Sequence, residues 1–81
     1  MYNSYQVMMS SAMEKLTKRL SKRLKTLRGD QTLRDFARKL GIHAGSLNRL
    51  EQGQQNVTLK TIQKLCDRLK CDIGDLFKDN S

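Results

Sequence analysis

A chain of 81 residues allows one domain with a modest core, and 37% hydrophobic with 30% charged residues is the balance of a soluble globule, not of a disordered segment. A formal charge of +8 is large for that length and implies an anionic partner: nucleic acid, an acidic protein or a lipid surface. The single His43 lies far from Cys66 and Cys71, so no zinc-type ligand set assembles locally. No metal or cofactor is therefore expected.

No stretch reads as a secretory leader or a membrane span. The expectation is a cytoplasmic, nucleoid-associated protein with both thiols free, a disulfide being the lesser reading.

Residues 1–11 lack a clear period and are expected to form a flexible arm outside a domain spanning residues 12–78. Ser11 and Glu14 have capping-box spacing, and Met13, Leu16, Leu20, Leu24 and Leu27 then recur three or four apart. That pattern predicts a first helix over residues 12–28 with those five residues inward, ended by a left-handed Gly29. Its other faces carry basic residues; Lys15 and Lys18 read as a solvated face.

Thr32 followed by Asp35 opens a second helix, with Leu33, Phe36, Ala37 and Leu40 inward and Gly41 ending it. Ile42 reads as a plug in the turn. A third helix is predicted from Ala44 to Gln52, with Leu47 and Leu50 inward and Gly53 just past its end. Thr58 caps a fourth, which would bury Leu59, Ile62, Leu65, Cys66 and Leu69. Asp72 caps a short fifth holding Ile73, Leu76 and Phe77. With no proline and no alternating β-branched run, no strand competes, and the predicted fold is all-α, a compact five-helix domain.

Charge is uneven along these elements. Ten basic residues between Met13 and Leu40 face only Glu14, Asp30 and Asp35, whereas from Leu65 onward Arg68, Lys70 and Lys78 are outnumbered by Asp67, Asp72, Asp75 and Asp79. The basic half is the expected polyanion face. The acidic pairs Asp30 with Asp35 and Asp72 with Asp75 lack a nucleophile, a phosphate loop or a metal set, so they read as caps and surface charge, and no enzyme is expected.

Two short helices joined by Gly41-Ile42-His43 make a helix-turn-helix arrangement, because the chain must bend with positive φ directly after the second helix and the bend must be pinned by an apolar neighbour. In register with that turn stand Phe36, Ala37, Leu40, Gly41, Ile42 and His43, then Leu47, Asn48, Arg49, Leu50, Glu51 and Gly53. Thr58, Ile62, Leu65, Cys66, Leu69 and Leu76-Phe77 continue the match. Over roughly residues 20–77 the sequence resembles the Cro and lambda-repressor (XRE) type of helix-turn-helix DNA-binding domain. It departs from the family pattern at Leu33, where a phosphate-binding glutamine is common, in the short link from Arg28 to Thr32, and at Val57, which replaces a usual proline.

The resemblance implies a lambda-repressor-like domain whose third helix lies in the major groove of double-stranded DNA, with His43, Ala44, Gly45, Ser46, Asn48 and Arg49 toward base edges. It places Thr32, Leu33, Arg34, Arg38, Gln54, Gln55, Asn56 and Lys60 at phosphates, Leu33 through its backbone only. Arg28 and Glu51 would form a structural ion pair under the recognition helix, and Cys66 and Cys71 would be core packing. The function implied is a sequence-specific transcriptional regulator, a repressor or autoregulator, acting as a homodimer on a palindromic operator. Ile73, Leu76 and Phe77 are its expected dimer contacts. The small size suggests a phage-type repressor or a restriction-modification controller.

A DNA-binding antitoxin with a partner toxin is the alternative. A membrane or acidic-protein binder is less favoured, since the apolar stripe of the first helix is needed for the core and lacks aromatic anchors.

Overall fold

The computed structural model describes residues 4–54 and 57–78, with side chains from residue 15 onward. Five α-helices make up the described residues: α1 (Ser4–Arg28), α2 (Leu33–Leu40), α3 (Ala44–Glu51), α4 (Leu59–Leu69) and α5 (Ile73–Leu76). α1 packs on α3, α2 on both α3 and α4, and α4 on α5. α3 is thus held from two sides.

α1 begins at Ser4, not near residue 12: residues 4–11, placed in the arm by the sequence, are helical, and Ser11 sits inside the helix. The side chain of Met13 lies outside the described residues. From Thr17 onward the inward stripe is Thr17, Leu20, Ser21 and Leu24, all buried, with Leu27 packed against the core at its edge. Leu16, expected inward, is 47% exposed. It stands just before the buried stripe begins at Thr17.

Local chemistry sets the helix ends. Thr32 caps α2 by accepting from the Asp35 N–H at 3.0 Å, and Thr58 caps α4 by accepting from the Thr61 N–H at 3.2 Å. Asp72 and Asp75 form a reciprocal capping box on α5, 2.9 Å one way and 3.5 Å the other. α3 starts at His43, whose side chain makes no capping bond, and Gly53 (φ +77°) follows its end.

The core comprises Leu20, Leu24, Phe36, Ala37, Leu40, Leu47, Leu50, Leu65, Cys66 and Leu76, one or more from every helix. Burying each large side chain contributes about 1.5–3 kcal/mol, so this small set must hold the whole domain. One expected core residue is elsewhere: Leu59, at the first position of α4, is 81% exposed. Ile73, an expected partner contact at the first position of α5, is 57% exposed.

Candidate nucleic-acid interface

The turn between α2 and α3 fixes where α3 points. Gly41 adopts φ +72°, and the Ile42 N–H returns to the Ala37 carbonyl at 3.0 Å, closing α2 with the 6→1 bond of a glycine C-cap. Ile42 is half-buried against the core. Two cations of α4 grip this turn. Lys64 Nζ donates to the Gly41 carbonyl at 3.3 Å, and the Arg68 guanidinium lies so close over Gly41 that a β-carbon there would stand 3.0 Å from its Nη2. Gly41 is required by its backbone angle, while the exposed Arg68 side chain above it could shift to admit a β-carbon. Neither Lys64 nor Arg68 was singled out in the sequence. The available signal was that the negative end of α2's macrodipole, at Gly41, attracts cations.

The far end of α3 is tied to α1. Arg28 grips the Glu51 carboxylate with two nitrogens, Nε at 2.9 and 3.2 Å and Nη2 at 3.0 Å, while its Nη1 donates to the Gln31 carbonyl at 3.0 Å. Ser21 donates its hydroxyl to the backbone carbonyl of Glu51, satisfying one of the acceptors that a helix end leaves open. Glu51 is almost wholly buried (4% exposed) at the negative pole of α3, where a carboxylate is electrostatically disfavoured. The Arg28 fork offsets that and the desolvation. Ser21 is small enough for its hydroxyl to reach the α3 backbone directly, and Thr17 is buried a turn earlier on the same face of α1.

Between these anchors α3 buries Leu47 and Leu50 and turns its other side outward. His43, Ala44, Gly45, Asn48, Arg49 and Gln52 are exposed, and Ser46 is half-buried. By helical spacing Ala44, Gly45, Asn48 and Arg49 lie on the flank opposite Leu47 and Leu50, with Ser46 at its edge and His43 just before the helix. Gln52, not anticipated, joins it by donating to Asn48 Oδ1 at 3.4 Å, one helical turn apart. A hollow of about 300 Å³ runs beside the flank, lined by Ser46, Arg49, Leu50, Gln54, Val57 and Thr61. Thr61 is the other lining residue that the sequence did not suggest.

Of the expected phosphate contacts, Thr32, Arg34, Arg38, Gln54 and Lys60 are exposed. Leu33 packs against the core, which leaves only its backbone N–H to offer, and Thr32 already uses its oxygen as a cap. Gln55 and Asn56 lie outside the described residues. Among the described residues the ion pair is Arg28 with Glu51, and none of Arg34, Arg38, Arg49 and Lys60 is neutralised in that way. Leu76, expected at a dimer interface, is fully buried in its own chain and has no surface left for a partner. Ile73 is exposed beside it and Phe77 half-buried.

A tight glycine turn between two short helices, the second anchored at both ends with one small-residue flank left bare, defines a helix-turn-helix DNA-binding domain. The Cro/C1-type HTH DNA-binding domain family matches residues 19–81, and the chain belongs to that family. No curated protein and no solved structure matches it. Among the described residues no helix is long and apolar enough to cross a membrane.

Proposed function

We propose that this DNA-binding regulator is sequence-specific, acting as a repressor or autoregulator that occupies a palindromic operator as a homodimer. α3 enters the major groove, His43, Ala44, Gly45, Ser46, Asn48 and Arg49 meet base edges, and Arg49 grips a guanine through O6 and N7. The amides of Thr32 and Leu33, with Arg34, Arg38, Gln54 and Lys60, hold phosphates and set the register.

Gly45 carries this reading. Glycine within a helix costs up to about 1 kcal/mol relative to alanine, so a fold tolerates it where a positive φ or a close neighbour demands it. Gly45 has neither: its φ is ordinary, and a β-carbon would meet nothing within 4 Å. The demand for a bare backbone comes from outside the chain, which is what a helix pressed against base edges imposes.

The exposed apolar residues at the α4–α5 end, Leu59 and Ile73, with Phe77 beside them, supply the surface on which a second copy pairs. Two copies then reach half-sites about 34 Å apart, one turn of B-DNA.

Selection of bound sequences from a random duplex library tests the reading. An enriched inverted repeat, bound by two chains per site in a gel-shift titration, is the expected result; recovery of unenriched sequence removes the specificity claim. A second small protein copurifying on the Leu59–Ile73 face, in place of a second copy, makes the protein an antitoxin instead.

A further inference from the structure

The joint between α4 and α5 holds two thiols that DNA recognition does not use. α4 ends with Lys70 in the left-handed region (φ +53°, ψ +47°), and the Cys66 carbonyl accepts from both the Lys70 N–H and, at 3.1 Å, the Cys71 N–H. This is the six-residue closure of a Schellman-type turn, in which the residues at the two ends of the closing bond ordinarily touch through apolar side chains. Here both are cysteines. Standard bond lengths put each α-carbon about 1.5 Å from its nitrogen and about 2.4 Å from its carbonyl oxygen. Adding the 3.1 Å bond caps the separation of the two α-carbons at about 7 Å, the upper edge of the range that disulfides span.

Two further observations agree. Both cysteines line one groove of about 470 Å³, together with Leu59, Ile62, Gln63 and Ile73 and the acidic rim of Asp67 and Asp72. The Cys71 thiol is held above its ordinary pKa, first by burial and then by Cys66 itself, with Asp75 and Asp72 adding to it, so the two sulfurs sense each other.

We propose that Cys66 and Cys71 form a thiol–disulfide exchange site that, in the unpaired chain where Leu59 and Ile73 are not covered by a second copy, takes small organic disulfides of the glutathione class from the groove and closes to an intrachain disulfide. Cys71, the less buried, reacts first: its thiol releases a proton, the thiolate attacks one sulfur of the small disulfide, that S–S bond breaks, and the departing half leaves as a thiol after taking up a proton. Cys66 then loses its proton and attacks the Cys71 sulfur, expelling the second half as a second thiol. Two cysteine sulfurs are oxidised and one small disulfide is reduced to two thiols, with protons conserved. The new bond fastens the last turn of α4 to the lead into α5. Because Cys71 is held in its protonated form by burial, Cys66, Asp72 and Asp75, the first step quickens as pH rises.

Incubation of the reduced full chain with glutathione disulfide, followed by intact mass and non-reducing electrophoresis, tests this. The expected product is a single chain lighter by two hydrogens, with no glutathione attached, forming faster at pH 9 than at pH 7 and reverting with a reductant. Cys66→Ala, lacking the resolving thiol, should stop at a mixed disulfide on Cys71. A wild-type chain that stops at that mixed disulfide, or that links to a second chain, overturns the proposal.

Discussion

The two ends of α3 are built on opposite principles. At its C-terminal end Ser21, Arg28 and Glu51 lock the helix to α1 in a nearly dry joint, and every polar atom named there has a partner. At its N-terminal end His43 gives no side-chain cap, Ala44 and Gly45 offer little to touch, and open space surrounds the Gly45 α-carbon. An eight-residue helix is marginal in isolation, so its position must come from neighbours. Holding one end and the turn before the other leaves the flank between them available without loss of rigidity. The contrast separates residues that place the helix from residues available to read with it.

The largest expected effect is at the locked end. Arg28→Ala strands the Glu51 carboxylate in the interior and should lower folding stability by about 3 kcal/mol, seen as a shifted urea midpoint. Replacing both partners with apolar residues of similar size should recover most of that, because the net worth of a buried pair against an apolar substitute is small. A single Arg28→Ala change costing under about 0.5 kcal/mol would erase the distinction between the two ends.

At the open end the order inverts. Arg49→Ala should leave stability within about 0.5 kcal/mol yet remove about 1–3 kcal/mol of discrimination between selected and scrambled duplex in gel-shift titrations. Lys60→Ala should weaken both duplexes alike and lower the salt slope of binding by about 1. If Lys60→Ala changed discrimination instead, its contact would be with a base. Gly45→Ala should raise folding stability by up to about 1 kcal/mol, seen as a higher urea midpoint, while Gly45→Leu should bind duplex more weakly at equal foldedness. Full affinity in the Gly45→Leu variant would place DNA away from this end. The smallest effect lies in neither region: Lys70→Gly relieves a left-handed non-glycine residue and should stabilise by up to about 1 kcal/mol in the same denaturation.

Much of the fold was legible because its punctuation is local. Thr32, Thr58 and Asp72 cap through atoms three residues away, and Gly41 and Gly53 take angles that few other residues accept, so five helix starts and stops could be read from short strings. Leu16 and Leu59 were misplaced for one shared reason. Periodicity tells which residues share a face, but not how far along that face another helix reaches. Thr17 and Ser21 were missed from the core because hydroxyl residues carry no hydrophobic signal.

In the interface, the exposed flank of α3 followed from its period, but Lys64 and Arg68 meet Gly41 across a gap of more than twenty residues. No local pattern encodes a contact of that kind. Thr61 and Gln52 were likewise invisible until α4 and the end of α3 had positions.

The grip of Lys64 and Arg68 on the turn also bears on how strongly the molecule should respond to ionic strength. Of its 16 lysines and arginines, Lys64 and Arg28 bond the protein's own carbonyls or carboxylate, and Arg68 lies over Gly41. Counterions released on complex formation come only from cations that reach the duplex, so its affinity should fall less steeply with added salt than the bulk composition alone would forecast.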